Sequence, residues 1–151
     1  MQYRKARITD VEAIHGLISH YAAKGLMLAR SRALLYESIR EFAVAEENGQ
    51  VIGAGGLHII WEDLAEIRAL AVVETMTGRG IGRGLVGMLL ADAWELHIPR
   101  VFTLTYQPAF FEKCGFRRVP KEQMPQKVWK ECINCPHFPN CKEESLIIDL
   151  K

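Results

Sequence analysis

The sequence has no long apolar run and no excess of one charge. No stretch approaches the ~20 consecutive apolar residues that a membrane-spanning helix needs. Residues 1–5 are not followed by the apolar segment of a secretory signal. Lysine and arginine number 19 against 18 acidic residues, a net charge of +1, so the overall balance favours neither nucleic acid nor membrane as a partner. We therefore expect a cytoplasmic protein.

The length and composition predict one folded domain. With 151 residues, of which 49% are hydrophobic and 25% charged, the chain can form a sizeable core. It contains no internal repeat, linker or low-complexity segment, so we predict a single domain over residues 1–151. Residues 120–141 are rich in proline and cysteine and are expected to be irregular. The four cysteines are expected to be reduced, since export is not predicted.

The most informative stretch joins a predicted strand to a predicted helix through a glycine-rich turn. Residues 65–73 are apolar enough for a buried strand, and apolar residues recur at helical spacing over residues 85–94. The first amides of a helix lack acceptors inside it, and the helix dipole is positive there. Glycines leave room for an anion, so we expect a pyrophosphate at this turn. The candidate anion-binding residues are Arg79, Gly80, Ile81, Gly82, Arg83 and Gly84.

The spacing of these glycines excludes two common nucleotide-binding loops. Glycines alternate at positions 78, 80, 82 and 84, which differs from the G-x-G-x-x-G of a Rossmann loop. The turn also lacks the Gly-Lys-Ser/Thr ending of a P-loop. An alternative stays open, in which the glycines only let a helix pack close to a strand.

The remaining sequence alternates between predicted strands and helices. Residues 2–8 predict a strand, and Thr9 or Asp10 can cap the helix that follows. Ser31 can cap a second helix that extends to Phe42. The later elements are a hairpin over residues 42–47 and 50–60 around an Asn-Gly turn, strands at 65–73, 101–105, 116–119 and 145–150, and a short helix at 109–113. This order indicates an α/β or α+β fold with a mostly antiparallel first half.

Two motifs resemble the GNAT N-acetyltransferase superfamily. Arg79, Gly82 and Gly84 fit its (Gln/Arg)-x-x-Gly-x-(Gly/Ala) loop, and residues 110–116, Phe-Phe-Glu-Lys-Cys-Gly-Phe, resemble its late helix. The resemblance implies the GNAT fold: a central, mixed, mostly antiparallel twisted sheet of six to seven strands flanked by about four helices. It also implies acetyl-CoA as co-substrate, with its pyrophosphate on the glycine-rich turn. The residues implied to hold its pantetheine arm through their backbone are Leu70, Ala71 and Val72.

Several segments resemble one branch of this superfamily, the bacterial N-acetylglutamate synthases. Residues 28–35, 39–42, 102–105 and 124–127 carry this similarity. The chain is too short for the additional amino-acid-kinase-like domain of the long synthases, so it is similar to the short, free-standing type. The resemblance implies transfer of an acetyl group from acetyl-CoA to the α-amino group of L-glutamate, the first committed step toward arginine.

Candidate residues follow from this chemistry. Glutamate brings two carboxylates, which guanidinium and ammonium groups bind well, and Arg30 is the first choice because it also matches the family. The weaker substrate-binding candidates are Arg32, Thr105 and Lys127. Glu66 is the candidate general base that deprotonates the acceptor amine. Regular pleating would place it on the face that carries Arg68, Leu70 and Val72.

The proton donor to the departing thiolate has more than one candidate in the sequence. The family uses a tyrosine where this chain has Phe111. Tyr106 or Thr105 can substitute for it, and a thiolate can also leave without an acid because thiols have a pKa near 8.5.

Three further alternatives stay open. Cys132, Cys135 and Cys141, with His137, can be a structural zinc site, although the sequence favours reduced thiols over a bound metal. The acceptor can instead be another small amine or a protein N-terminus, or the chain can be a non-catalytic acetyl-CoA sensor. The oligomeric state is not predicted, and a homodimer is one option.

Overall fold

The computed structural model describes residues 1–124 and 143–150. The strands are β1 (Gln2–Lys5), β2 (Phe42–Glu47), β3 (Gln50–Trp61), β4 (Leu64–Val72), β5 (Arg100–Thr105), β6 (Arg117–Val119) and β7 (Glu144–Asp149). The helices are α1 (Val11–Ala22), α2 (Arg32–Glu37), α3 (Ile81–Glu95) and α4 (Pro108–Lys113). Four short 3₁₀ turns lie at Ile8–Asp10, Ile39–Glu41, Glu74–Met76 and Lys121–Gln123. Within the described ranges, no helix combines the length and the apolar character that crossing a membrane would require.

The strands form one seven-stranded mixed sheet in the order β1-β2-β3-β4-β5-β7-β6. Every pairing is antiparallel except the one between β4 and β5. The predicted hairpin between β2 and β3 is confirmed, with Asn48 and Gly49 both at positive φ, 53° and 77°, as a tight two-residue turn requires. The sheet and its four helices confirm the predicted GNAT architecture.

The two faces of the sheet carry separate cores. Leu85, Val86 and Leu89 of α3 are at most 1% exposed and pack on one face. Ile14 and Ile18 of α1 are fully buried on the other face, where α2 adds Leu35. The sheet is therefore covered on both sides along β2, β3 and β4.

Two local predictions about helix ends are wrong. The second helix ends at Glu37 rather than reaching Phe42, because the Ser38 hydroxyl donates to the carbonyl of Leu34 and closes the last turn. Asp10 precedes α1 but does not cap it with its side chain. Its carboxylate instead accepts from the amide of Arg7 at 2.7 Å and from the guanidinium of Arg4.

A β-bulge in β4 overturns the expected pleating. Ala54 opposes Ala71 and Gly56 opposes Arg68, so β4 has one extra residue between these pairs. Ala69, at φ 57°, takes up that residue in a left-handed conformation that is rare outside glycine. Leu70 and Val72 consequently pack on the α3 face.

Glu66 and Arg68 therefore lie on the opposite face, toward α1 and α2. The guanidinium of Arg68 approaches Glu41, and a side-chain atom on the opposing Gly56 would meet the ring of Phe42 in the α1 core. The prediction that Glu66 shares a face with Leu70 and Val72 is thus wrong, although its shared face with Arg68 is confirmed.

Candidate active site

The two parallel strands at the centre of the sheet separate soon after they meet. Within the described residues, β4 and β5 pair only at Ala65 with Val101 and at Glu66 with Phe102. The buried hydroxyl of Thr103 then donates to the carbonyl of Ile67 at 2.9 Å. Beyond this bond the second half of β4 has no strand partner on its β5 side among the described residues, and we call the divergence of the two strands the cleft.

The backbone of Val72 points into this cleft. The amide of Val73 donates to Ile52 of β3 at 2.9 Å, and peptide groups alternate along a strand. The amide and carbonyl of Val72 therefore point away from β3, as do those of Leu70, whereas those of Ala71 point toward β3. Of the three residues expected to hold a pantetheine arm, Leu70 and Val72 present their backbone to the cleft.

A side chain from α1 reaches the same backbone. The hydroxyl of Tyr21 donates to the carbonyl of Val72 at 2.6 Å. Burial, together with the nearby carboxylate of Glu74, raises the pKa of Tyr21. The phenol therefore stays protonated and remains a donor at neutral pH.

The start of α3 is the place where the sequence predicts an anion site. Gly78 and Gly80 have φ of 82° and 81°, and no atom lies within 4 Å of where their side chains would begin. The first bond of the helix runs from the amide of Gly84 to the carbonyl of Gly80 at 3.0 Å. Helix geometry leaves the preceding amides, at residues 81–83, without acceptors inside α3. These amides lie at the positive end of the helix dipole, where an anion is favoured.

The other two glycines of the turn allow close packing. A side-chain carbon on Gly82 would lie 3.1 Å from the ring of Phe110, and one on Gly84 would overlap the ring of Tyr3. The alternative interpretation from the sequence therefore applies to Gly82 and Gly84, whereas Gly78 and Gly80 are needed for their backbone conformation. The glycines of this segment thus serve two purposes, an unusual backbone conformation and close packing.

A cluster of charged side chains surrounds Glu66 on the α1 face. Glu66 is half-buried and lies directly opposite His58 of β3. Nδ1 of His58 is 3.0 Å from Oε2 of Glu41, and Nη2 of Arg68 is 3.6 Å from Oε1 of the same carboxylate. The sequence analysis did not identify Glu41 or His58, because only the strand register brings them beside Glu66.

The basic residues predicted at the site have different surroundings. Arg30 is half-buried in the segment that leads into α2. Arg32 pairs instead with Glu12 of α1 at 2.8 Å, and both side chains are mostly exposed. Arg79 and Arg83 are exposed at the start of α3. Lys127 lies outside the described residues.

The candidates for the proton donor lie around the end of β5. Phe111 is 4% exposed and packs edge-to-face against Phe110 and Phe116, so the family's tyrosine position belongs to the core here. Tyr106 is half-buried directly after β5. The hydroxyl oxygen of Thr105 accepts from the amide of Gln107 at 2.8 Å.

Metal ligands are not grouped in the described part of the chain. No cluster of three or more His, Cys, Asp or Glu side chains suited to a metal occurs over residues 1–124 and 143–150. Cys132, Cys135, His137 and Cys141 lie outside those ranges. Burial raises the pKa of the Cys114 thiol, which is therefore protonated at neutral pH.

Known proteins that resemble this chain include acetyltransferases. The model of the acetyltransferase (GNAT) family matches residues 14–116. An uncharacterized N-acetyltransferase of Chlorobaculum tepidum is 42% identical over 144 residues, covering 95% of this chain and 93% of that protein. An amino-acid acetyltransferase of Mycobacterium tuberculosis is 43% identical over 131 residues, covering 85% of this chain and 75% of that protein.

Solved structures with the same fold contain coenzyme A. A Mycobacterium tuberculosis protein in complex with CoA has a TM-score of 0.86 and 35% identity, with all of both chains covered. The N-acetylglutamate synthase of Neisseria gonorrhoeae, complexed with coenzyme A and N-acetyl-glutamate, has a TM-score of 0.89 and 26% identity. That match covers 99% of this chain and 35% of the synthase.

Proposed function

Because the chain belongs to the acetyltransferase (GNAT) family, and is thus an acyltransferase, we propose that it transfers the acetyl group of acetyl-CoA to the α-amino group of L-glutamate. The observation that carries this proposal is the divergence of β4 from β5 after Glu66, which leaves the backbone of Leu70 and Val72 without a partner strand from the described part of the chain on that side, shortly before the chain reaches α3. The similarity to a synthase complexed with coenzyme A and N-acetyl-glutamate supports glutamate as the acceptor.

The residues along this cleft fit a CoA thioester. The amides of residues 81–83 and the exposed guanidinium groups of Arg79 and Arg83 suit a diphosphate. The amides of Leu70 and Val72 and the carbonyl of Leu70 offer donors and an acceptor to a pantetheine arm, while Tyr21 holds the Val72 carbonyl. Bound there, acetyl-CoA supplies a thioester carbonyl that an amine can attack.

Glu66 is the residue we assign to proton removal. An amino acid enters as an ammonium, which has to lose a proton before its nitrogen becomes a nucleophile. Glu66 is the last residue of β4 that pairs with β5, so it lies where the cleft begins. Its carboxylate can accept this proton directly or through a water molecule. Arg30, half-buried before α2 on the same side of the sheet, is the residue we assign to a glutamate carboxylate.

A panel of acceptors tests the proposal. Purified full-length protein is mixed with acetyl-CoA and L-glutamate, L-glutamine, other amino acids, a polyamine or a peptide N-terminus, and thiol release is measured. We expect the highest kcat/KM with L-glutamate. A higher value with another amine would replace the acceptor and keep the enzyme class. Acetyl-CoA binding by calorimetry with no thiol release for any amine would contradict the assignment of Glu66 and favour a sensor.

A further inference from the structure

The ionisable pair of His58 and Glu41, on the α1 face of the sheet, has no role in the chemistry described so far. His58, in β3, donates its Nδ1 hydrogen to Oε2 of Glu41 at 3.0 Å, since an ionised carboxylate can only accept. The donation leaves Nε2 of His58 as the nitrogen that can take up a proton.

The carboxylate of Glu41 is held from two sides. Its Oε1 is buried, accepts no hydrogen bond from residues 1–124 or 143–150, and lies 3.6 Å from the guanidinium of Arg68. Its Oε2 is occupied by His58. The Glu41 carboxylate therefore lies between a guanidinium and an imidazole, and it fixes the orientation of the His58 ring.

His58 is also the direct cross-strand neighbour of Glu66. The register pairs the two residues, so their side chains share one face of the sheet. Side chains at directly opposed positions have Cβ atoms about 4.5–5.5 Å apart. The strand register and the contacts of Glu41 thus bring Glu41, Glu66 and Arg68 near His58.

Glu66, as the general base, has to be deprotonated again in each catalytic cycle. Glu66 gains one proton when it deprotonates the acceptor, and it must lose that proton before the next acceptor is used. Glu66 is half-buried, and the side chain of His58 is 33% exposed. An imidazole beside Glu66 therefore offers a path from the cleft to water.

We propose that His58, positioned by Glu41, carries the proton from Glu66 to solvent. The acceptor nitrogen gives up a proton to Glu66, and the O–H bond of Glu66 breaks as the proton passes to Nε2 of His58. The resulting imidazolium, held by Glu41, releases the same proton to water and returns to the neutral form. His58 acts through Glu66 and is a positioning residue; this inference rests on the proposed role of Glu66.

Substitution with chemical rescue tests the relay. In full-length protein, H58A is expected to lower kcat about tenfold or more, with both KM values changing less than about twofold. Added imidazole should restore kcat in a concentration-dependent way, which it would not do for a purely structural loss. His15→Ala, on α1, is the matched control and should keep wild-type kcat with and without imidazole.

Two outcomes would overturn the relay. One is a folded H58A protein with wild-type kcat, and the other is a lowered kcat that imidazole leaves unchanged. If H58A does not fold, His58→Gln and Glu41→Gln replace it, and both should raise the solvent isotope effect on kcat; an unchanged isotope effect in both would also reject the relay.

The assay separates this inference from the proposed function. The variants are tested with whichever amine the wild-type protein acetylates. Wild-type turnover with an unaffected H58A rejects the relay alone. Turnover with an amine other than glutamate rejects the proposed acceptor and still tests the relay. A wild-type protein that acetylates no amine rejects both.

Discussion

The hydroxyl of Tyr21 donates a 2.6 Å hydrogen bond to the carbonyl of Val72. This contact joins the end of α1 to the end of β4, beyond the point where β5 has diverged. His20 and Lys24 contact the carboxylate of Glu74 just beyond β4. The end of α1 therefore holds the segment that leads from β4 into the glycine-rich turn.

Removing this hydroxyl tests its structural role. Tyr21→Phe is expected to lower the free energy of unfolding by about 1 kcal/mol, because the Val72 carbonyl loses its donor. It should also raise the Kd for acetyl-CoA, since that carbonyl is no longer held in place. Urea denaturation and calorimetry measure the two effects. Tyr36→Phe is the control, because Tyr36 is 45% exposed. Equal changes in stability and in Kd for both variants would contradict the prediction.

The two kinds of glycine in and after the turn predict opposite effects. Gly80→Ala should cost about 1–2 kcal/mol of stability, because φ of 81° is unfavourable for alanine. It should also weaken acetyl-CoA binding by disturbing the amides that follow. Gly87→Ala, on an exposed part of α3 with no atom within 4 Å of the new carbon, should stabilise the helix by about 1 kcal/mol. Thermal unfolding would contradict the prediction if both variants moved in the same direction.

Glu66, at the start of the cleft, should affect turnover and not the binding of acetyl-CoA. Glu66→Gln is expected to lower kcat about 100-fold or more, the usual effect of losing a general base. The Kd for acetyl-CoA should stay unchanged, because the start of α3 is untouched. Glu62→Gln, in the exposed turn between β3 and β4, is the control. Wild-type kcat for Glu66→Gln would remove this residue from the mechanism.

Two neighbouring arginines should differ in their effect on the acceptor. Arg30→Ala is expected to raise the KM for glutamate about tenfold or more, the loss of one charge-assisted hydrogen bond. The KM for acetyl-CoA should change much less. Arg32→Ala removes only an exposed pair with Glu12 and should leave both KM values near wild type. A larger rise in the KM for glutamate with Arg32→Ala than with Arg30→Ala would indicate that the carboxylate binds at the start of α2.

A nearly buried ion pair predicts acid sensitivity. Asp10 accepts two hydrogen bonds from Arg4, at 2.8 and 3.0 Å, and the Arg4 guanidinium holds the pKa of Asp10 below its usual value. A lowered folded-state pKa means that this stabilisation is present above the unfolded pKa, about 3.9, and is lost as pH falls through the folded value.

The variant Asp10→Asn should remove this stabilisation at neutral pH. We expect a loss of about 2 kcal/mol at pH 7, because Arg4 loses its charge-assisted hydrogen bonds to Asp10 and keeps its pair with Glu46 at 2.7 Å. The difference from wild type should shrink as the pH is lowered below 4 in urea titrations. Glu12→Gln, in the exposed pair, should show no comparable loss. A constant difference across pH would contradict the prediction.

Local sequence signals were sufficient for most of the fold. The Asn48-Gly49 turn, the Ser31 cap and the strand–turn–helix at β4 and α3 each depend on neighbouring residues, and each is found in the structure. For the candidate site, the glycine-rich turn was identified for the same reason. Its amides and its positive-φ glycines are encoded within a few positions.

Long-range features could not be read from the sequence. The pairing of Glu41 with His58, and of His58 with Glu66, depends on how strands far apart in sequence are aligned. Tyr21 reaches Val72 across 51 positions. The early end of α2 arose from a competing side-chain bond by Ser38, which the apolar spacing did not reveal.

Ala69 has a consequence for the length of β4. Before this residue, odd-numbered positions such as Ala65 and Ile67 contact the α3 core; after it, even-numbered positions such as Leu70 and Val72 do. Deleting Ala69 would restore an unbroken pleat and leave Glu66 and Val72 on their present faces, whereas a regular pleat that kept all residues of β4 would turn one of the two to the wrong side. The left-handed backbone at Ala69 therefore lets Glu66 face α1 while Leu70 and Val72 face α3, and substitutions in relatives have to be compared separately on the two sides of position 69.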